Sequence, residues 1–231
     1  MAEIYLYQKY IQVKAFFELG TFLIINSKEI IMNELIVYSK SPPDIGLYFK
    51  KGLALFSKSL PLFITGSLIY LLLSAFTFTF FAGPLVAGYM LLFVKKLRGE
   101  PTKITDMFQG FSRFISLVIA FYVVRAIVSV GLFFFVIPGL IFGTWFFFVE
   151  LLILDKNIGL FEALSINKKM VQERGLWNFV IINVILVLLL HLGTVISFGL
   201  GFLLVCPYVY SIYVVMYEDS FPTTTINKQI E

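Results

Sequence analysis

Three long runs of the chain carry almost no charge, and they constrain its fold more than any other feature. No Asp, Glu, Lys or Arg occurs in residues 59–94 or 175–217. Residues 114–154 carry only Arg125 and Glu150. A membrane-spanning helix needs about 20 apolar residues at a rise of about 1.5 Å per residue. Each run is therefore too long for one spanning helix and suits two.

The composition excludes most other protein classes. Hydrophobic residues make up 59% of the chain and charged residues 14%, and the mean hydropathy is +0.92. Soluble domains average about 25% charged residues, so a water-soluble globule is excluded. One Cys and one His leave no internal disulfide and no thiolate metal cage, and we expect no metal and no cofactor.

Glycine and proline occur near the middle of each run, where a helical hairpin would turn. They are Gly83-Pro84 in the first run, Pro138-Gly139 in the second, and Gly199, Gly201 and Pro207 in the third. The pattern predicts an all-α membrane protein of three helical hairpins, residues 60–97, 113–154 and 176–217. The second arms are short, about 21–24 Å of a core of about 30 Å. The count is therefore about six transmembrane or partly re-entrant helices.

Short amphipathic stretches precede the hairpins and predict helices in the membrane interface. The first has apolar residues at helical spacing, namely Ile45, Tyr48, Phe49, Gly52, Leu53, Phe56 and Leu60. We expect it to begin with Ser41 as the N-cap. The predicted organisation is a cytoplasmic or interfacial appendage at residues 1–43, a helical membrane domain at residues 44–219, and a polar tail at residues 220–231.

The basic residues lie at the same ends of all three hairpins, and the three turns carry none. They are Lys50, Lys51, Lys58, Lys95, Lys96, Arg98, Lys103, Arg113, Lys156, Lys168, Lys169 and Arg174. The positive-inside rule then predicts a multi-pass protein of the cell membrane with both termini in the cytoplasm. The recurrence of the pattern around Pro84, Pro138 and Pro207 predicts an internal triplication, although any three hairpins share general hydropathy.

The two charges inside the middle run predict a polar cluster within the membrane. At helical rise, Arg125 lies about 18 Å and Glu150 about 7–8 Å above the cytoplasmic boundary. Asn183, about 12 Å above Gly175, lies between them in depth. Long side chains can close such a gap directly or through water. Intramembrane charges are costly unless paired, so the cluster is either a functional site or a lock within the hairpin.

No combination of residues typical of an intramembrane enzyme is present, so we expect a protein without catalytic activity. Basic side chains at the hairpin ends are candidates for contact with anionic lipid head groups: Lys95, Lys96, Arg98, Lys168 and Lys169. The expected function is binding of membrane lipids, or of another membrane protein, in a structural or accessory role. The alternative is a small transporter or channel with its polar site around Arg125 and Glu150. Nothing favours nucleic-acid binding.

Several short strings resemble a large family of uncharacterised multi-pass membrane proteins. They are Phe81-Ala82-Gly83-Pro84-Leu85, Gly88-Tyr89, Leu97-Arg98-Gly99-Glu100, Asp106-Met107-Phe108-Gln109-Gly110-Phe111, Ile137-Pro138-Gly139, Leu154-Asp155-Lys156, Glu162-Ala163-Leu164-Ser165 and Pro207 with Tyr217-Glu218-Asp219. Relatives of the family include the membrane region before the catalytic domain of some glycerophosphodiester phosphodiesterases. The resemblance covers about residues 44–219, and the string after Ser165 departs slightly from the family pattern. It implies a helical fold and a membrane location, and it implies no catalytic residue.

Overall fold

The structure is a computed structural model that describes residues 38–222, and the chain is helical and without strands in that range. Its elements are α1 (Ile45–Lys58), α2 (Leu60–Phe76), α3 (Ala82–Leu97), a 3₁₀ helix (Ile104–Arg113), α4 (Phe114–Phe134), α5 (Val136–Trp145), α6 (Val149–Asp155), α7 (Leu160–Ile196) and α8 (Phe202–Ser220). The predicted all-α class is confirmed. Most of the predicted appendage at residues 1–43 and of the tail at residues 220–231 lies outside the described residues.

Three segments are long and apolar enough to cross a membrane: Ile104–Phe134, Val136–Asp155 and Leu160–Ile196. A fourth is present if α1 and α2, which meet at an angle of 92°, are taken as one broken span. These candidates support a membrane protein of three to four spans by length and composition, fewer than the predicted six. The helix α3, with 16 residues, rises only about 24 Å.

Helices α3, α6 and α8 supply much of the buried core, whereas α2, α4 and α7 carry exposed apolar surface. Every residue of α3 from Ala82 to Val94 is buried, and α3 contacts α2, α4, α6, α8 and the 3₁₀ helix. Large apolar side chains are exposed along α2, α4 and α7. An apolar surface of this extent is unfavourable in water and is expected against lipid.

Two glycines allow α3 to lie directly against the 3₁₀ helix. A Cβ atom on Gly88 would collide with the carbonyl oxygen of Met107, and one on Gly110 would collide with that of Pro84. The two backbones therefore touch, and larger residues would force them apart. Close approach of this kind is the usual role of small residues between helices in membranes.

The turns before α3 and α8 share one backbone conformation. Thr77 and Ser197 end their helices, and each hydroxyl donates to the carbonyl oxygen four residues earlier. Phe78 and Phe198, the next residues, are left-handed, with φ of 47° and 53°, and both are exposed almost completely. The chain thus turns at residues 77–81, before Gly83-Pro84, which lie in the first turn of α3. The shared turn is consistent with the predicted repeat in the first and third runs.

The middle run contains a break that the sequence pattern did not indicate, whereas the kink in the third run lies next to residue 176, where the third hairpin is predicted to begin. Residues 146–148 separate α5 from α6. Gly175, at φ 117° and ψ 87°, kinks α7 where its charged first part meets its apolar second part. The start of α1 also differs from the prediction, because Asp44 and not Ser41 is the N-cap and accepts from the Leu47 N–H at 2.9 Å.

Candidate functional site

A cavity of about 360 Å³ lies between the helices of the described part of the chain. Its walls come from α3, α4, α5, α6, α7 and α8 and from the turn at residues 146–148. Small-molecule sites in proteins measure about 300–1,000 Å³ and combine mainly apolar walls with a few polar groups. The size and the lining of this cavity fit that description.

All three residues of the predicted polar cluster line this cavity. Arg125 is exposed at its edge, and its guanidinium lies 4.9 Å from the centre of the Phe121 ring. Glu150 is 5% exposed, on the inner wall. No ion pair joins them: in the part of the chain that the structure describes, no basic nitrogen lies within 4.0 Å of the Glu150 carboxylate. The cluster is brought to one cavity but not into direct contact.

Asn183 belongs to a chain of hydrogen bonds on the inner wall. The Tyr213 hydroxyl donates to the Asn183 side-chain oxygen at 2.5 Å, and the Asn183 amide donates to the Thr144 hydroxyl at 3.2 Å. The Thr144 hydroxyl donates in turn to the Leu140 carbonyl oxygen at 2.8 Å. This chain connects α8, α7 and α5 and holds the amide in a fixed orientation.

The sequence pattern did not place Tyr213, Thr144 or His191 in the predicted polar cluster. His191 also lines the cavity, and its Nδ1 lies 2.8 Å from the Val187 carbonyl oxygen. A signal for Tyr213 was present in the sequence. It lies five residues before the charge that ends its arm, Glu218, just as Glu150 lies five residues before Asp155.

The basic residues predicted to contact lipid differ in their surroundings. Lys95 is 3.4 Å from the Asp106 carboxylate, and the Lys168 ammonium lies 4.7 Å from the centre of the Trp145 ring. Lys96 is half-buried and Lys169 is exposed. These contacts leave parts of their side chains at the surface.

Arg98, the fifth predicted lipid contact, instead forms the centre of an ion cluster. Its guanidinium donates to both carboxylate oxygens of Asp155, at 2.7 and 2.9 Å, and also to Glu218. The Tyr217 hydroxyl donates to Asp155 at 2.7 Å. Burial alone lowers the pKa of Arg98, but hydrogen bonds and proximity to the two carboxylates outweigh burial and raise it. Since these residues end α3, α6 and α8, the cluster joins the ends of the three core helices.

A second buried arginine joins α7 to α1, α8 and the chain before α1. The Arg174 side chain is fully buried and donates to the Asp219 carboxylate and to the Ser220 hydroxyl, both at 2.6 Å. It also donates to the Ser41 carbonyl oxygen at 2.6 Å and to the Tyr48 hydroxyl at 3.3 Å. All three nitrogens of the guanidinium thus donate within the fold, which gives Arg174 a structural role.

The cavity presents a small set of polar and charged groups. It offers one guanidinium, one carboxylate, one amide, one imidazole and phenol groups among apolar walls. No group of three or more His, Cys, Asp or Glu side chains that could hold a metal ion occurs in residues 38–222. Charges in such a site select and orient a ligand by pairing with its charges and hydrogen-bonding groups.

Comparisons with protein-family models, with curated proteins and with solved structures find no match. The resemblance to the multi-pass family and to the membrane region of some glycerophosphodiester phosphodiesterases therefore stays a prediction.

Proposed function

We propose that this protein is a non-catalytic integral membrane protein that binds a small amphipathic molecule, such as a membrane lipid, in the cavity. The observation that carries the proposal is that Arg125, Glu150 and Asn183 all line one cavity. Polar groups in an otherwise apolar segment are costly and are functional candidates by default. A purely structural pair would close into direct contact, whereas these charges face a space of ligand size.

The cavity opens towards the surface between α4 and α7. Arg125 and Leu132 on α4, and Val187 and His191 on α7, line the cavity and are also exposed. Most other exposed side chains on α4, and on the part of α7 after Gly175, are large and apolar. We infer that the opening faces the hydrocarbon, so that an amphipathic ligand enters sideways from the bilayer.

The proposal includes the three hairpins, the interfacial helices and a cell-membrane location with both termini in the cytoplasm. The 92° bend between α1 and α2 supports an interfacial α1, because a helix perpendicular to a span lies along the membrane. The Arg98 cluster joins the ends of α3, α6 and α8 through ion pairs. This supports the expectation that the basic ends of the hairpins lie on one side of the membrane. In this arrangement Lys95, Lys96, Lys168 and Lys169 reach the head groups of the inner leaflet.

Native mass spectrometry of the purified protein in mild detergent tests the proposed binding. A Cβ on Gly143 would lie 3.7 Å from the Asn183 amide nitrogen, in ordinary contact, so the side chain of Gly143→Leu extends into the cavity. We expect the wild type and Gly143→Ala to retain a bound amphiphile and Gly143→Leu to lose it. If Gly143→Leu unfolds, Val187→Trp blocks the opening from its exposed edge. Equal retention by the blocked and wild-type proteins, or no bound amphiphile in the wild type, would contradict the proposal.

The depth that the cavity covers across the membrane favours transport as a second function. At helical rise, Glu150 lies about 7–8 Å from the end of its arm at Asp155, and His191 lies about 24 Å beyond Gly175. Polar groups therefore line a path of about 16 Å across a core of about 30 Å. Movement of a fluorescent lipid or a solute across sealed vesicles containing the pure protein would favour transport, and binding without movement would favour the accessory role.

A further inference from the structure

We propose that the ligand carries a phosphate ester and a primary amine in one head group, as in phosphatidylethanolamine or soluble phosphoethanolamine. This inference rests on the proposed binding function and specifies the chemistry of its ligand. It follows from the order of the charges in the cavity and from the direction in which the cavity opens.

The cavity holds one positive and one negative side chain, each without an opposite charge at pairing distance. Within residues 38–222, no carboxylate oxygen lies within 4.0 Å of the Arg125 guanidinium and no basic nitrogen within 4.0 Å of the Glu150 carboxylate. A buried charge such as Glu150 requires a partner, and so does Arg125 where the opening of the cavity faces hydrocarbon. A purely anionic ligand would pair with Arg125 and leave Glu150 unpaired, and a purely cationic ligand would do the reverse. A zwitterion pairs with both.

The order of the two charges matches the order of groups in an ethanolamine head group. Arg125 lies at the exposed edge, and Glu150 lies on the buried inner wall. In phosphatidylethanolamine the amine is terminal, the phosphate follows it, and the acyl chains come last. When such a head group enters amine-first, the ammonium reaches Glu150 and the phosphate stops at Arg125. The acyl chains then remain outside, against the apolar surfaces of α4 and α7.

Hydrogen-bonding capacity distinguishes a primary amine from a quaternary one. A primary ammonium has three N–H donors, and a carboxylate accepts hydrogen bonds from it directly. The Asn183 side-chain oxygen, which already accepts from Tyr213, lies on the same wall and offers a further acceptor. A trimethylated ammonium donates none of these bonds, so phosphatidylcholine should bind more weakly. The guanidinium of Arg125 suits a phosphate because its N–H groups can donate to two phosphate oxygens in parallel.

The test places the wild-type protein in mixed micelles with equal amounts of phosphatidylethanolamine, phosphatidylglycerol and phosphatidylcholine, and measures retained lipid by native mass spectrometry. Loss of one charge-assisted hydrogen bond corresponds to about a tenfold change in affinity. We therefore expect about tenfold more phosphatidylethanolamine than either other lipid. Soluble phosphoethanolamine is added as a competitor. Displacement of bound phosphatidylethanolamine by phosphoethanolamine would assign the site to the soluble compound. Retention of phosphatidylethanolamine in its presence would assign the site to the lipid.

Two variants connect the selectivity to the cavity. Glu150→Gln should remove the preference for phosphatidylethanolamine over phosphatidylglycerol while keeping phosphate binding, and Arg125→Gln should weaken the retention of all three lipids. Glu100→Gln, which removes an exposed charge outside the cavity, is the matched control and should change neither the lipid preference nor the total retention. If a variant does not fold, the selectivity of the wild type decides. Equal retention of all three lipids overturns this inference alone, whereas retention of none of them, and of no soluble competitor, also overturns the proposed binding function.

Discussion

Replacement of Arg98 by glutamine removes the cation that joins the ends of the three core helices. The Asp155 side chain is 6% exposed and that of Glu218 is 17% exposed, and both are bound by the same guanidinium. Without Arg98, two negative charges remain close together with little water around them. Removal of one partner of a buried ion pair costs about 3–5 kcal/mol, whereas loss of an exposed pair costs about 0–1 kcal/mol.

The partial exposure of Glu218 places the expected loss near the lower end of the buried range. We expect Arg98→Gln to reduce the free energy of unfolding by about 3 kcal/mol. The assay is denaturant unfolding in detergent micelles, followed by tryptophan fluorescence. Lys95→Gln is the matched control, because Lys95 lies on the same helix end, is 19% exposed and pairs with Asp106 at 3.4 Å. The control should lose less than about 1 kcal/mol.

A double replacement separates charge from packing. Arg98→Gln combined with Asp155→Asn removes one of the two unpaired carboxylates, so the combined loss should be smaller than the sum of the single losses. Equal small losses for Arg98→Gln and Lys95→Gln would refute the reasoning, because the cluster would then behave as a surface ion pair. Additive losses would show that Arg98 and Asp155 are not coupled.

Three further outcomes are expected. Gly88→Ala should destabilise the protein by about 3 kcal/mol in the same unfolding assay, since its methyl group would collide with backbone, whereas Gly46→Ala, which has space, should be neutral or stabilising by up to about 1 kcal/mol. Reporter proteins fused to each terminus should both read as cytoplasmic, and an external reading after Glu231 would mean an odd number of crossings. The losses from Arg125→Ala and Glu150→Ala should not add in the double variant, and simple addition would show that the two charges do not interact across the cavity.

The helical class and the common location of the polar cluster could be predicted from the sequence. Charge-free runs admit only helices in a bilayer, because every backbone group must be satisfied within the segment. Counting of helical rise predicts depths for Arg125, Glu150 and Asn183 that long side chains can bridge, and the structure places all three on the lining of one cavity without an ion pair between the two charges. The same counting applied to the third run would have added Tyr213.

The first turn and the role of Arg98 could not be read from the sequence for physical reasons, whereas the third turn contains Gly199 and Gly201, as the sequence predicts. Glycine and proline predict the first turn at Gly83-Pro84, but Phe78 and Thr79 adopt the left-handed conformation without glycine. The break at residues 146–148 has no glycine or proline either, and Phe148 packs there edge-on against Tyr217 of α8. Arg98 resembled the neighbouring lysines as a positive charge, and only the approach of α6 and α8 shows that it is engaged with two carboxylates.

A structure of the protein in lipid nanodiscs, determined by electron cryo-microscopy with a bound antibody fragment, tests the central claim most directly. We predict non-protein density that enters between α4 and α7 and reaches from the Arg125 guanidinium to the Glu150 carboxylate. The Gly143→Leu variant should lack this density and keep the same helices. A wild-type cavity that is closed by a direct ion pair between Arg125 and Glu150, with no density between α4 and α7, would contradict the account.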